Sequence, residues 1–381
     1  MDTASLVRKP LEAQEADLAA LAGRGRLRKL VAPEGVDFSS NDYLGLAASE
    51  RLRAAAAAAL ERGVAIGSGG SRLLRGNHAE HEALEAQAVQ VFGCEAALYL
   101  ANGYTANSAL FSTLPQRGDC IFFDELIHAS AHEGIRLSRA DAQAFAHNDM
   151  NGLRDALAAW RSRNGAARAW IAVESLYSMD GDRAPLPELA AIAGRYDAVL
   201  LIDEAHATGV FGPAGQGLAH DLDGLANVIT LRTLGKAVGC EGALLCGPAT
   251  MRDHIVNRGR GFIFSTAPSP LMAAVAREAL TMLADEPHRR EALAVLVARA
   301  HGVLTRHGAM PSGSQIMPLV LGDEARTMHV AGAIQRAGFD VRGIRPPTVP
   351  TGSSRLRISI TLNVTPDDID RLGETIAQVL A

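Results

Sequence analysis

The chain has 381 residues, of which 48% are hydrophobic and 21% are charged, and its formal net charge is -5. That length and apolar content can bury a sizeable core, organised as two domains or as one large domain with appendages. The negative net charge argues against nucleic acid as the main partner.

The cysteines and the apolar runs exclude further classes of protein. The chain contains four cysteines without C-x-x-C spacing, so we expect neither a disulfide framework nor a metal site. No run of about 18 apolar residues is present, which argues against a membrane helix. The N-terminus also lacks a basic region followed by an apolar one, so the sequence predicts a cytoplasmic protein.

The first predicted element is an amphipathic helix over residues 11–30, interrupted by two glycines. The basic cluster near its end, residues 24–29, is either solvated or, beside an active site, able to hold an anionic substrate. A short strand and a turn follow. We therefore predict an N-terminal segment over residues 1–45.

Predicted strands and helices then alternate, which is typical of an α/β domain with a mainly parallel sheet and helices on both faces. We assign this large domain to residues 46–275. Its apolar strands are centred near residues 98, 121, 171, 201, 229 and 244. Because each strand ends in a polar or Gly-rich loop, one crevice can collect residues from distant positions. A strand-to-turn segment is also predicted over residues 262–268.

Gly103 and Tyr104 open a helix directly after the strand over residues 96–100. Small residues at this junction leave backbone N–H groups free, and the helix dipole favours an anion there. The sequence therefore predicts a phosphate site at Gly103 and Tyr104. The Gly-rich residues 67–72 predict a loop that turns tightly or approaches another group closely.

Residues 199–236 carry the most informative pattern. Four apolar residues followed by Asp203 predict a buried parallel strand that brings a carboxylate to the ligand-binding edge of the sheet. His206 follows closely, and Lys236 lies between glycines with Thr233 three residues before it. Taken alone, the acid is typical of a helix cap and the lysine of a solvated side chain.

Together these residue types suit pyridoxal phosphate. Lys236 would hold its aldehyde as an imine (a Schiff base) if the surroundings lower the amine pKa from its ordinary value of about 10.4. Asp203 would keep the pyridine nitrogen protonated, so that the ring can accept the electrons of a carbanion. His206 would reach the phenolic oxygen, Thr233 the phosphate, and His128 would stack on the ring.

A DEAH-type nucleotide hydrolase is the alternative, because an apolar run followed by Asp-Glu-Ala-His is also typical of the Mg²⁺-binding strand of a helicase-type ATPase. That class needs a phosphate loop of the form G-x-x-x-x-G-K-[ST] upstream. The sequence contains none, and Lys236 is followed by Ala237. The cofactor interpretation is therefore favoured.

Residues 276–381 predict a small C-terminal α+β domain. Its predicted elements after long helices up to residue 308 are strands over 317–321, 340–342 and 355–360 and helices over 327–337 and 366–380. Alternation along the last strand puts Arg355 and Arg357 on one face. Two adjacent guanidiniums usually pair with protein acids, but they also suit a substrate carboxylate.

Six segments in this order resemble the α-oxoamine synthases, pyridoxal phosphate enzymes of fold type I that condense an amino acid with an acyl thioester. The segments are residues 40–45, 67–72, 128–130, 178–182, 203–206 and 233–236. Residues 72–82 and 345–350 look most like the branch that joins L-alanine to a pimeloyl thioester of coenzyme A or a carrier protein in biotin synthesis. Glycine with acetyl-CoA or succinyl-CoA is the alternative within the family.

The resemblance also implies roles for individual residues. It makes Lys236, His128, Asp203 and His206 catalytic, and it places Ser178, Thr233, Gly103 and Tyr104 against the cofactor. It implies that Arg357 binds the amino-acid carboxylate and that Thr348 and Arg28, or alternatively Arg26, contact substrate. Members of this family are homodimers with active sites at the subunit interface, so Ser265 and Thr266 would reach the partner's phosphate.

Overall fold

The computed structural model describes residues 10–165 and 167–381, so residues 1–9 of the predicted N-terminal segment lie outside the described part. The helices are α1 (Glu12–Gly23), α2 (Glu50–Glu61), α3 (Ala79–Phe92), α4 (Gly103–Thr113), α5 (Ala129–Arg136), α6 (Met150–Arg161), α7 (Leu186–Arg195), α8 (Ala249–Arg258), α9 (Arg260–Ile263), α10 (Pro270–Asp285), α11 (Pro287–Leu304), α12 (Glu324–Arg336) and α13 (Pro366–Leu380). The strands are β1 (Val36–Asp37), β2 (Ala96–Leu100), β3 (Cys120–Asp124), β4 (Asp141–Phe145), β5 (Ala169–Glu174), β6 (Ala198–Asp203), β7 (Val228–Thr233), β8 (Ala243–Gly247), β9 (Ile316–Gly322), β10 (Phe339–Asp340), β11 (Arg342–Ile344) and β12 (Ser354–Ser359).

The central sheet has seven strands in the order β2-β8-β7-β6-β5-β3-β4. All pairs from β7 to β4 are parallel, while β8 runs antiparallel to both β7 and β2. Along β3, Ile121 packs into the core beneath α4 and α5, whereas Phe122 packs beneath α6 and α7. This alternation buries both faces under helices, which confirms the predicted α/β sheet.

A second sheet in the C-terminal third has the antiparallel order β11-β12-β9. Along β12, Leu356 and Ile358 enter an apolar core shared with α12 and α13, so Arg355 and Arg357 take the opposite face. This core continues without a break into α3 and α10. The division at residues 45 and 275 therefore stays a prediction, because one core joins the proposed parts.

Three predictions differ from the structure. The prediction of a strand within residues 262–268 is wrong. The short helix α9 leads instead into a loop, and the Ala267 N–H of this loop donates to Gly70 O at 2.9 Å. The sequence did not predict β4, a largely exposed edge strand paired with β3. The N-terminal helix ends at Gly23, and none of its described residues is buried.

Within the described ranges, no helix has both the length and the apolarity needed to span a bilayer.

Candidate active site

A pocket of about 160 Å³ lies at the edge of the central sheet where β5, β6 and β7 end. The first turns of α4 and α5 close its sides. Its lining consists of Gly103, Tyr104, Asn107, His128, Ser130, Glu174, Asp203, Ala205, Leu231, Thr233 and Lys236. Parallel strands deliver their carboxyl ends to one edge, which explains how residues far apart in sequence share this pocket.

Lys236 lines the pocket and contacts the buried His206, and the two form the reactive pair of the site. The Nζ atom of Lys236 lies 2.8 Å from Nε2 of His206. Burial lowers the pKa of Lys236, the Asp203 carboxylate opposes it, and the resulting pKa is about 8. Burial, together with the positive charges of Lys236 and Arg357, holds the pKa of His206 well below its usual range. The imidazole is therefore neutral and can accept a hydrogen bond from the lysine at Nε2.

The carboxylate of Asp203 is held by two donors at the end of β6. Asn107 Nδ2 donates to Oδ2 at 2.9 Å, and the Ala205 N–H donates to Oδ1 at 2.9 Å. Asn107 also donates to Ser130 Oγ at 2.9 Å, and that oxygen lies 2.7 Å from His128 Nδ1. A polar chain thus fixes the carboxylate and His128 relative to each other.

Glu174 is a second acid in the pocket, and the sequence analysis did not single it out. It ends β5 directly opposite Asp203 in the parallel register. Its Oε2 accepts the Ser178 N–H at 3.1 Å, while its Oε1 is buried without a partner among the described residues. Burial and the neighbouring Asp203 raise its pKa well above the usual range, which favours the protonated form of the carboxyl.

The predicted phosphate site lies at the N-terminus of α4. Asn102 caps the helix by accepting the Thr105 N–H at 2.8 Å, and its carbonyl takes the Ala106 N–H at 3.0 Å. The first-turn N–H groups of Gly103 and Tyr104 have no acceptor among the described residues and are left for another one. A Cβ added to Gly103 would lie 3.8 Å from Thr233 Oγ1, so a hydroxyl stands beside this turn. These donors fit a phosphate ester.

Arg357 approaches the site from β12 and meets neutral acceptors. Its Nε donates to Ser178 O at 2.6 Å, and its Nη2 donates to Asn41 Oδ1 at 3.0 Å and Tyr43 Oη at 3.3 Å. Tyr43 Oη in turn lies 2.7 Å from His206 Nδ1. A hydrogen-bonded chain therefore links Arg357 through Tyr43 to His206 and Lys236.

The two arginines of β12 differ in how their charge is balanced. Arg355 forms an ion pair with Asp180, as is usual for such a residue. Arg357 is buried, and within the described ranges it has no acidic partner. A buried guanidinium without a counter-ion is available to pair with a carboxylate from outside.

Other residues predicted for substrate contact lie outside the pocket lining. Arg28 and Thr348 are exposed. Arg26 is paired with Glu324 through an Nε–Oε2 hydrogen bond of 2.7 Å, whereas Arg28 has no ion pair within the part of the chain that the structure describes. Ser265 and Thr266 line a separate crevice. The roles of all of these residues stay predictions.

Comparisons with known proteins agree with this geometry. The family model described as aminotransferase class I and II matches residues 33–376. The chain is 42% identical over 382 residues to an 8-amino-7-oxononanoate synthase of Anaeromyxobacter dehalogenans, covering 96% of this chain and 94% of that protein.

Solved structures are similar over almost the whole chain. A serine palmitoyltransferase variant of S. paucimobilis, solved with bound PLP and myriocin, superposes with a TM-score of 0.87 at 26% identity, covering 100% of this chain and 98% of that one. An 8-amino-7-oxononanoate synthase of Francisella tularensis gives a TM-score of 0.77 at 26% identity, covering 91% of this chain and 98% of that one.

Proposed function

The chain belongs to the aminotransferase class I and II family, with the 8-amino-7-oxononanoate synthases as relatives, and from that premise we propose the reaction of those relatives for it. The protein is a pyridoxal phosphate-dependent acyltransferase of biotin biosynthesis. It condenses L-alanine with pimeloyl-CoA to give 8-amino-7-oxononanoate, free coenzyme A and CO₂. The observation that carries the proposal is the partly buried Lys236–His206 contact beside Asp203.

The residues of the pocket suit each part of pyridoxal phosphate. Lys236 would bind the aldehyde, and Asp203, fixed by its two donors, would pair with the pyridine nitrogen. The N–H groups of Gly103 and Tyr104 with the Thr233 hydroxyl would hold the phosphate. When bound, the cofactor supplies an electron-accepting ring that stabilises negative charge at the α-carbon of the amino acid.

Lys236 is the proposed base. Its pKa of about 8 keeps a useful fraction of the amine unprotonated near neutral pH, so Nζ can take the α-proton of alanine. His206 orients Nζ through the 2.8 Å contact, and Tyr43 orients His206 through the 2.7 Å contact at Nδ1. His128 and Ser178 stay proposed cofactor contacts.

Arg357 is the proposed partner of the alanine carboxylate. Its bonds to Ser178 O and Asn41 Oδ1 fix the plane of the guanidinium while leaving its charge unmatched. A carboxylate can take two parallel bonds from such a group. Arg28 and Thr348 are proposed to contact the acyl substrate. Arg28 is favoured over Arg26 because Arg26 is paired with Glu324, whereas Arg28 has no ion pair with any described residue.

We also propose a homodimer that works in the cytoplasm. Ile66, Leu74 and Phe264 are 72%, 80% and 72% exposed, and they belong to two segments joined by the Ser269 Oγ to Ile66 O bond of 2.6 Å. Exposed apolar side chains on two linked segments support a protein interface there. All four cysteines are free, which supports a reducing compartment. Sedimentation of the holoenzyme should give twice the chain mass.

Specificity constants test the reaction directly. The holoenzyme should be assayed with alanine, glycine and serine, each against pimeloyl-CoA, a pimeloyl carrier protein, acetyl-CoA and succinyl-CoA. Alanine with a pimeloyl thioester should give the largest kcat/KM and a product with the mass of 8-amino-7-oxononanoate. One methylene of chain length is worth only about 1 to 3 kcal/mol, so neighbouring thioesters should react more slowly rather than not at all. Glycine with acetyl-CoA or succinyl-CoA as the best pair would replace the proposal with the alternative family activity.

A further inference from the structure

His147 is held between two aspartates outside the pocket. Its Nδ1 lies 3.0 Å from Asp124 Oδ1, and its Nε2 lies 2.8 Å from Asp182 Oδ2. Carboxylate oxygens accept hydrogen bonds, so both ring nitrogens must donate. An imidazole that donates at both nitrogens is an imidazolium, and this geometry therefore places a cation between the two acids.

The groups around the ring agree with that assignment. Asp124 is fully buried and also accepts the Asn148 N–H at 2.9 Å, while Glu125 accepts the His147 N–H at 3.0 Å. The ring meets Tyr177 edge-on at a centroid distance of 4.4 Å. Burial lowers the pKa of His147, but the hydrogen bonds to Asp124 and Asp182 outweigh burial and raise the pKa to about 10.

Asp182 lies near the end of a tight turn over residues 176–183, opposite Tyr177. Leu176 and Arg183 form an isolated antiparallel bridge, and the Tyr177 N–H donates to Asp182 O at 2.9 Å. The backbone of Asp182 therefore holds the turn together, while its Oδ2 is held by His147 at 2.8 Å and by the Asn148 Nδ2 donor at 3.0 Å. Moving this side chain would move the turn with it.

The same turn carries the contacts that orient Arg357. Its Ser178 carbonyl accepts the Nε of Arg357 at 2.6 Å, and its Ser178 N–H donates to Glu174 at 3.1 Å. Arg355 holds the turn on the side of β12 through Asp180. The turn is thus fixed to β12 at one point and, through His147, to β3 at another.

We propose that His147 is a positioning residue for the reaction, holding Asp182 so that the turn presents a fixed carbonyl to Arg357. Nε of Arg357 has this carbonyl as its acceptor, whereas its other contacts are to Asn41, Tyr43 and the Ser359 hydroxyl. Without it, the guanidinium can tilt away from the amino-acid carboxylate. This role rests on the proposed function, because it assumes that Arg357 binds that carboxylate.

The test compares two variants of the clamp with a matched control. His147→Gln removes the cation, and Asp182→Asn removes the negative charge of one of its two acidic partners with almost no change of shape. Arg154→Gln is the control, since it breaks the Arg154–Glu188 ion pair between α6 and α7 without touching the turn. Each holoenzyme is titrated with L-alanine by the change in cofactor absorbance, and KM for the thioester is measured separately.

The dissociation constant for alanine should rise by about 10-fold or more in both clamp variants, because a misplaced guanidinium forms poorer paired bonds to the carboxylate. Cofactor content and KM for the thioester should match those of the wild type and of Arg154→Gln. The alanine dissociation constant of the double variant should not exceed that of the more impaired single variant, because both changes break the same interaction.

If a clamp variant has a lower melting temperature but its cofactor-loaded form binds alanine with an unchanged dissociation constant, the proposal is overturned and the role of His147 is purely structural. Asp182→Asn keeps this outcome accessible even if His147→Gln fails to fold, because the Asp182 side chain is 37% exposed. The amino acid that the wild type prefers tests the proposed function. The ratio of the variant to the wild-type dissociation constant for that amino acid tests the positioning role of His147.

Discussion

Lys236 and His206 touch through a 2.8 Å contact between Nζ and Nε2, and the pKa of each side chain lies below its ordinary value. Burial is the first cause of the low pKa of both groups. A pocket that lowers the pKa of a lysine to about 8 suits a group that must bind an aldehyde and then take a proton.

The cofactor-free protein should show this low pKa directly. Modification of Lys236 by an amine-selective reagent should be half-maximal near pH 8, because the neutral amine is the reactive form. Peptide mass spectrometry measures it, with the exposed Lys29 as the internal reference for the reagent. A midpoint above about pH 10, the range of solvated lysines, would contradict the assignment.

Asp203→Asn should retain the cofactor but exchange the α-proton of alanine at least about 100-fold more slowly, because an amide cannot keep the ring nitrogen protonated. Exchange in deuterated buffer, followed by NMR, measures this. Asp221→Asn, at an exposed acid, is the control. Near-normal exchange in Asp203→Asn would remove Asp203 from its proposed role.

Glu174→Gln should keep specific activity within about threefold of the wild type, because a protonated carboxyl and an amide are both neutral and similar in shape. Glu174→Ala should instead lose about 1 to 3 kcal/mol of stability, since the buried Ser178 N–H loses its acceptor. Thermal melts and initial rates distinguish the two. If the glutamine variant loses activity while its melting temperature stays unchanged, Glu174 acts as a carboxylate.

The clamp at His147 predicts a pH dependence of stability. Its folded pKa of about 10 lies above the ordinary value of about 6.5, so its contribution is complete below about pH 6.5 and is lost as pH rises through about 10. Between pH 6 and pH 10.5 the melting temperatures of wild type and His147→Gln should therefore converge. A difference that grows toward high pH would mean that the ring is neutral in the folded protein.

The sequence predicts most of the fold because its elements are strongly patterned. The apolar run of β2 and the cap at Asn102 mark their boundaries locally. β4 lacks such a pattern, since its first four residues are exposed at the sheet edge. Asn107 and Glu174 were missed for another reason. Their roles come from contact or register with Asp203, and a single sequence does not show which strands are neighbours.

Borohydride reduction of the holoenzyme, followed by peptide mapping, tests the central claim most directly. The chain has three lysines, Lys9, Lys29 and Lys236, so the site of cofactor attachment can be read without ambiguity. The account predicts a cofactor label on the peptide that contains Lys236 and no label on that peptide in Lys236→Ala. A label on Lys9 or Lys29, or no label on any lysine of a cofactor-loaded protein, would contradict it.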